Sequence, residues 1–345
     1  MGGNALKNTF TRRYDKDEYF TLSTSVRNLF WGFYPVSKLA IIPAFREKES
    51  FGDMDILYTT QNDKPLGVEN LAEVFKSNEV VRNTSVISLD HKELQIDLIW
   101  MEDEFFNYAY NYYSWNDTGN LVGKLAHQLG LKHGHKGLVL PLRDGNNNFA
   151  DVIISLDHDK TLQFLGLDFD KFNSGFDNLT DIFNFISASQ YYNPENYKLE
   201  NLNSIAKIRD RKRETYKKFL EFGESWNGVS APKIVDKSKC LKMIFDFFPE
   251  AYPSYKEAIQ KLAMQQLAKT KFNGDMVAEL TGLGARELGE FMKVLRNDWY
   301  FTPENIVYLT QEQIVGNIKL LFIDHIKKQD FVTIKDMKFK NRNCF

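Results

Sequence analysis

Between residues 17 and 33, apolar side chains fall at Leu22, Val26, Leu29, Phe30 and Phe33. Steps of three and four mark one face of a helix, and Gly32 and Pro35 stand where it should close. The period then changes. Residues 38–45 (KLAIIPAF) form a short apolar run that predicts a buried strand, and residues 51–58 (FGDMDILY) predict a second. A helix is expected over 68–76. Residues 84–89 and 93–100 flank the turn Asp90-His91-Lys92 and read as a hairpin. Helical spacing returns over 119–132 through Leu121, Val122, Leu125, Ala126 and Leu129. Two further strands, 137–142 and 149–156, are joined by the turn-rich RDGNNN. Past residue 157 the pattern is helical, punctuated by Asn, Gly and Pro. It holds a long basic stretch at 203–222 and amphipathic stretches at 255–268 and 286–296. The expectation is an α+β protein with a mixed-sheet domain over 1–157. A helical middle region with a basic helix follows over 158–235, then a helical C-terminal domain over 236–345.

Composition narrows the class. A chain of 345 residues with 43% hydrophobic and 26% charged positions and only nine prolines is a folded, multi-domain one. Its formal net charge of −2 leaves any grip on an anion to local clusters. Two cysteines, Cys240 and Cys344, exclude a disulfide scaffold and a cysteine-rich zinc site. No apolar run approaches the ~18 residues of a membrane span, and the first residues lack the apolar core of a signal peptide. Met1-Gly2-Gly3-Asn4-Ala5-Leu6 also misses the myristoylation pattern, which wants Ser or Thr where Leu6 stands. A cytoplasmic protein with no membrane partner is expected. Its oligomeric state is left open.

The chemistry concentrates in Gly52-Asp53-Met54-Asp55-Ile56. On a strand, residues i and i+2 share a face, so Asp53 and Asp55 project side by side. Two carboxylates that close repel, and a hard divalent cation such as Mg²⁺ or Mn²⁺ resolves the repulsion. Farther on, Gln95-Ile96-Asp97-Leu98-Ile99 sets a third carboxylate on a strand whose other face is apolar. If the two strands are neighbours, three carboxylates converge at one edge of a sheet, as in a two-metal phosphoryl-transfer site. The bland alternative is the solvated face of an edge strand.

Gly-Asp-x-Asp on a strand, followed by a third Asp on a later strand, resembles the DNA polymerase β-type nucleotidyltransferase superfamily. Its members include CCA-adding enzymes, poly(A) polymerases, oligoadenylate and cyclic-dinucleotide synthases, and nucleotidyltransferase toxins. KESFGDMDILY and the opening MGGNAL also look like nucleotidyltransferase-like proteins of large bacteriophages. The resemblance covers about residues 1–157 and implies a polymerase β-like palm with two Mg²⁺ (or Mn²⁺) ions and a nucleoside triphosphate substrate. It makes Asp53, Asp55 and Asp97 the catalytic and metal-binding residues. Asp97 would complete the metal site nearest the attacking hydroxyl, which displaces pyrophosphate from the α-phosphate. The family carries Gly-Gly or Gly-Ser about 10–20 residues before the paired aspartates, where this chain has Pro43-Ala44. Gly2-Gly3 is a candidate replacement, supplying backbone N–H groups to the phosphates. Gly52, Arg46 and Lys48 beside the catalytic strand, or Arg12 and Arg13, are others.

Gly119-Asn120-Leu121-Val122-Gly123-Lys124 opens a helix after the third carboxylate. Asn120 and Lys124 lie on one helix face, and the resemblance implies that they hold the nucleotide sugar and triphosphate. The alternative is a cap and a surface lysine. His133 and His135 lack partners at metal-ligand spacing and read as loop histidines. Residues 207–218 (KIRDRKRETYKK) hold seven positive and two negative side chains. Arg209, Arg211, Lys212, Arg213 and Lys217 are candidates to neutralise a nucleic-acid backbone, with Tyr216 and Phe219 close by to stack on a base. A solvated helix whose aromatics face the core is the competing reading. Residues 280–289, a glycine-rich turn before Glu287-Leu288-Gly289, are similar to the helical part of bacterial CCA-adding enzymes and poly(A) polymerases.

Three functions follow. The first is template-independent transfer of a nucleoside monophosphate to an RNA 3′ end, with a tRNA-like acceptor favoured. The second is transfer to a small molecule or protein. The third is non-catalytic nucleic-acid binding on the same fold.

Overall fold

Asp-Met-Asp-Ile-Leu-Tyr alternates as a strand should, and it lies within the second strand of a five-stranded sheet. The strands are β2 (Val36–Ile41), β4 (Asp53–Thr60), β5 (Val80–Asn83), β6 (Val86–His91) and β7 (Leu94–Trp100), in the order β2-β4-β7-β6-β5. Two short strands, β1 (Tyr14–Asp15) and β3 (Ser50–Phe51), pair separately. The computed structural model describes residues 5–33, 36–232 and 236–340, with 36–37 and 329–340 described by backbone alone.

The sheet is mixed: β2 runs antiparallel to β4, β4 parallel to β7, and β7 antiparallel to β6 and β6 to β5. One face is apolar. Met54, Ile56 and Tyr58 of β4 join Leu94, Ile96 and Leu98 of β7 under α1 (Lys16–Phe33) and α2 (Leu71–Phe75). Helix α1 buries Tyr19, Leu22, Val26 and Phe30, the expected stripe, whereas Phe33 at its end is exposed. The other face is apolar only toward the strand ends. There Leu57 and Ile99 pack with Met101 beneath Phe105, Phe106 and Ala109 at α3 (Phe106–Tyr113). Asp53, Asp55 and Asp97 occupy the beginning of that face.

The hairpin turns at Lys92-Glu93, one residue beyond the centre of the expected turn, since His91 pairs with Leu94. Both turn residues have positive φ, 49° and 66°. A right-handed twist favours this primed turn, but Gly or Asn suits it better than Lys-Glu. Glu93 contributes an ion pair to Arg12 at 3.2 Å, with both partners well exposed, so the pair is worth little. Glu93→Gly is expected to raise stability by about 0.5–1 kcal/mol in denaturant titration. A loss would mean that the Arg12 contact outweighs the strain.

Next come α4 (Thr118–Gln128) and a three-stranded sheet of β8 (Lys132–Gly134), β9 (Gly137–Asp144) and β10 (Asn147–Ser155). The helices α5 (His158–Phe164), α6 (Phe169–Ser174), α7 (Leu179–Ser187), α8 (Ser204–Asp210), α9 (Glu214–Ser225) and α10 (Lys237–Phe247) follow. The basic stretch at 203–222 is therefore two helices rather than one. Asp210 is fully buried at the end of α8, and Arg213 takes an extended backbone before α9.

Contacts divide the chain into two units. The first comprises Met1–Pro141 and Asp151–Tyr252, the second Leu142–Ala150 and Pro253–Phe345. The boundaries expected at 157 and 235 fall inside the first unit. Aromatic packing accounts for this: Phe183, Tyr192, Tyr197 and Phe219 share ring contacts, and the Tyr197 hydroxyl donates to the Leu121 carbonyl of α4. Phe164 of α5 likewise packs on Phe247 and Phe248 at the end of α10. In the second unit, α11 (Tyr252–Lys271), α12 (Gly274–Thr281), α13 (Ala285–Asn297), α14 (Pro303–Ile306) and α15 (Gln311–Lys340) supply Ala268, Val277, Phe291, Leu295, Ile306 and Ile314 to one core. Gly282, at φ 69°, closes α12 in a conformation that a side chain resists.

Candidate active site

Asp53 and Asp55 leave β4 on one face because the strand period is two, and the parallel register then sets Asp55 opposite Asp97 and Asp53 opposite Gln95. One oxygen from each of the three carboxylates lies within 4.8 Å of the others. The strands do neighbour each other, as the site requires. They are interior strands, flanked on both sides, so the solvated edge-strand reading falls. The carboxylates cluster at the start of the strands, on one face.

Three half-buried acids at this distance are electrostatically uncomfortable. Burial, then the charges of Asp53 and Asp97, push the Asp55 carboxyl up to about 7. Burial, ahead of the charge of Asp53, also raises Asp97, against opposing hydrogen bonds from Ser88 and Gln95. Burial raises the Tyr19 and Tyr113 hydroxyls, and the charge of Asp55 adds to both. Hard oxygen donors held this way fit a divalent cation such as Mg²⁺ or Mn²⁺, which removes the repulsion.

Gln95 belongs to the site. Its Nε2 donates to both oxygens of Asp97, at 2.9 and 3.1 Å, and its Oε1 accepts from the Ala5 N–H at 3.0 Å. That chain of bonds fixes the rotamer of Asp97 and ties the N-terminal segment beside it. The two-residue spacing that orients Asp97 also orients Gln95, so the signal was present in the sequence.

Just past Pro43-Ala44, the backbone N–H groups of residues 45–48 are spent within the protein. The N–H of Phe45 donates to Asn116 Oδ1, that of Arg46 to the Phe176 carbonyl, that of Glu47 to Asp177 and that of Lys48 to Phe45. The Arg46 guanidinium is paired with Asp177 at 2.5 Å and also donates to the Ser174 carbonyl. Lys48 Nζ sits 4.7 Å over the Phe51 ring. Gly52 is half-buried between β3 and β4. Gly2 and Gly3 lie outside the described residues.

Asn120 and Lys124 share a face of α4, but both reach Asp210, at 3.3 and 3.1 Å. Arg209 closes the cluster, donating to Asp210 from Nε at 2.7 Å and to Asn120 Oδ1 at 2.5 Å. The three line a cleft of about 470 Å³ with Tyr112, Lys132 and His133. Of the basic residues, Arg213 is bound to Asp117 and Lys217 lies 3.7 Å from Glu214. Arg211 and Lys212 are exposed. Tyr216 and Phe219 are buried and offer no ring to a base. His133 is not a loop residue: it lies buried in β8, its Nδ1 2.8 Å from the Tyr108 hydroxyl, and burial drives its pKa well down.

No protein-family model matches this chain, and no curated protein matches it. No helix among the described residues is long and apolar enough to cross a membrane.

Proposed function

We propose that the chain is a metal-dependent nucleotidyltransferase, moving a nucleoside monophosphate from a nucleoside triphosphate to the 3′ hydroxyl of an RNA, with a tRNA-like acceptor favoured. The observation that carries this reading is the parallel register of β4 and β7, which brings Asp53, Asp55 and Asp97 within 4.8 Å. Charge repulsion makes such a cluster costly unless a ligand uses it. Two Mg²⁺ or Mn²⁺ ions held there would supply the positive charge that steadies the α-phosphate and the departing pyrophosphate. Asp53 and Asp55 hold their carboxylates rigidly from a strand flanked on both sides. Asp97, pinned by Gln95, orients the acceptor hydroxyl and takes up its proton.

A second acceptor class has its own support. Arg209 and Arg213 are committed to internal carboxylates, and the aromatics beside them are buried. That leaves fewer free cations for a nucleic-acid backbone, and it is the observation on which a small-molecule or protein acceptor rests. The third reading, nucleic-acid binding without catalysis, gives the clustered carboxylates no task.

One experiment separates these readings. Protein is incubated with Mg²⁺ or Mn²⁺, mixed cellular RNA and each of the four α-labelled nucleoside triphosphates. Label in the tRNA size range is the expected result. Label in protein or in a small product selects the second acceptor class. Absence of metal-dependent incorporation from folded protein rejects the enzyme.

A further inference from the structure

A triphosphate carries more negative charge than the metal sites balance, so the protein must supply donors of its own. Among the described residues, four cations flank the head of β4 on the segments that lead into β1 and β3: Arg12, Arg13, Arg46 and Lys48. Three are occupied. Arg12 grips Glu18 at 2.9 and 2.7 Å and also reaches Glu93. Arg13 donates to the Ser50 hydroxyl at 2.7 Å and to its carbonyl at 2.8 Å. Arg46 is spent on Asp177 and Ser174. The backbone of the same segment is spent as well, from Phe45 to Lys48.

Lys48 is the exception. Among the described residues its Nζ has no hydrogen bond or ion pair, only the Phe51 ring at 4.7 Å. That ring is itself fixed, stacked on Tyr19 at 4.0 Å, and the chain runs from it through Gly52 to Asp53. We propose that Lys48 performs the task that a glycine turn performs elsewhere, its ammonium group binding the β- and γ-phosphates of the nucleotide at the head of β4. The inference rests on the nucleotidyltransferase reading of the triad.

The electrostatics agree. Burial lowers the Lys48 pKa, so its ammonium is short of solvent, and the opposite charges it feels most are Asp53 and Asp55. A role as mere counter-ion to the triad fails on two grounds. Among the described residues Lys48 forms no ion pair, and a cation bound by the triad would leave it facing positive charge. An anion lying between them satisfies both.

The test is equilibrium binding of fluorescent nucleoside tri-, di- and monophosphates in the presence of Mn²⁺, to wild type, Lys48→Met and Lys48→Arg. Triphosphate affinity is expected to fall about tenfold or more in Lys48→Met, the loss of a charge-assisted contact. Monophosphate affinity is expected to change by less than about twofold, and Lys48→Arg to keep most of the triphosphate affinity. Mn²⁺ binding followed by paramagnetic resonance should be equal in all three proteins, which shows that the triad and the fold survive. Equal triphosphate affinity in wild type and Lys48→Met overturns the Lys48 assignment alone. Wild-type protein that takes Mn²⁺ but none of the nucleotides overturns the nucleotidyltransferase reading, and this inference with it.

Discussion

Asn at positions 53 and 55 is expected to lower the nucleotidyl transfer proposed for this site by about a thousandfold or more, and at the same time to stabilise the metal-free protein at pH 8. The first effect follows, on that proposal, from losing the groups that would hold positive charge where the transition state needs it, since removing even one well-aimed electrostatic partner costs about 10²–10³. The second follows from the repulsion within the triad. An ordinary aspartate ionises near 3.8, and Asp55 does so at about 7 in the folded chain. Below the lower value both the folded and unfolded states carry the proton, and stability does not depend on it. Between the two values only the folded state keeps the proton, so each unit of rising pH removes about 1.4 kcal/mol until the folded group ionises as well. Metal-free wild type should therefore lose a few kcal/mol between about pH 4 and pH 7, whereas Asp53→Asn/Asp55→Asn should show a flatter profile. Mg²⁺ at pH 8 should raise the melting temperature of wild type and not that of the variant. Melting curves in chelator and in Mg²⁺ across this range read both effects. A pH-independent wild type that ignores Mg²⁺ would sink the metal reading.

The carboxylate cluster is legible in the sequence because it is local. Asp53 and Asp55 need only the two-residue strand period, and the β-forming run Ile56-Leu57-Tyr58 supplies the strand. Asp97 required one further step, that β7 lies beside β4, and nothing in the sequence states which strands pair. The fold was legible on the same terms. Helix α1, the β6–β7 hairpin and the α12–glycine–α13 junction follow from short-range pattern. Helix α3 does not: Phe-Asn-Tyr-Ala-Tyr-Asn-Tyr-Tyr is rich in weak helix formers, and it is the apolar face of Leu57 and Ile99 that folds it. The short β5 is defined only by its pairing with β6. The basic run misled because charge pattern is blind to burial. Within it, Asp210 is one of two negatives among seven positives, and besides the adjacent Arg209 its partners Lys124 and Asn120 lie 86 and 90 residues away. His133 misled in the same way, since Tyr108, not its neighbours in sequence, decides its environment.

Asp210→Ala is expected to cost about 3–5 kcal/mol of stability, the range for breaking a buried ion pair from one side. The side chain of Asp210 has no exposed surface and that of Lys124 only 12%, so deletion of the carboxylate leaves an ammonium stranded in a poorly solvated site. Burial alone would raise the pKa of Asp210, but hydrogen bonds and charge from Arg209 and Lys124 outweigh it and hold the carboxyl below its ordinary range. The penalty in the variant is thus the uncompensated cation rather than a lost contact. Removing Asp210 and Lys124 together should recover much of it, since Arg209, with its side chain 40% exposed, can turn to solvent: Asp210→Leu/Lys124→Met is expected to be clearly more stable than Asp210→Ala, because the buried pair is replaced by apolar volume. Denaturant titration of the two variants measures this directly. The same variants test how the helical middle of the chain is held to α4. A loss of under about 1 kcal/mol for Asp210→Ala, the value of an exposed pair, would mean that Lys124 swings out to solvent at little cost. Its place opposite Asp210 would then be incidental, and the expectation that Lys124 serves a nucleotide would regain force.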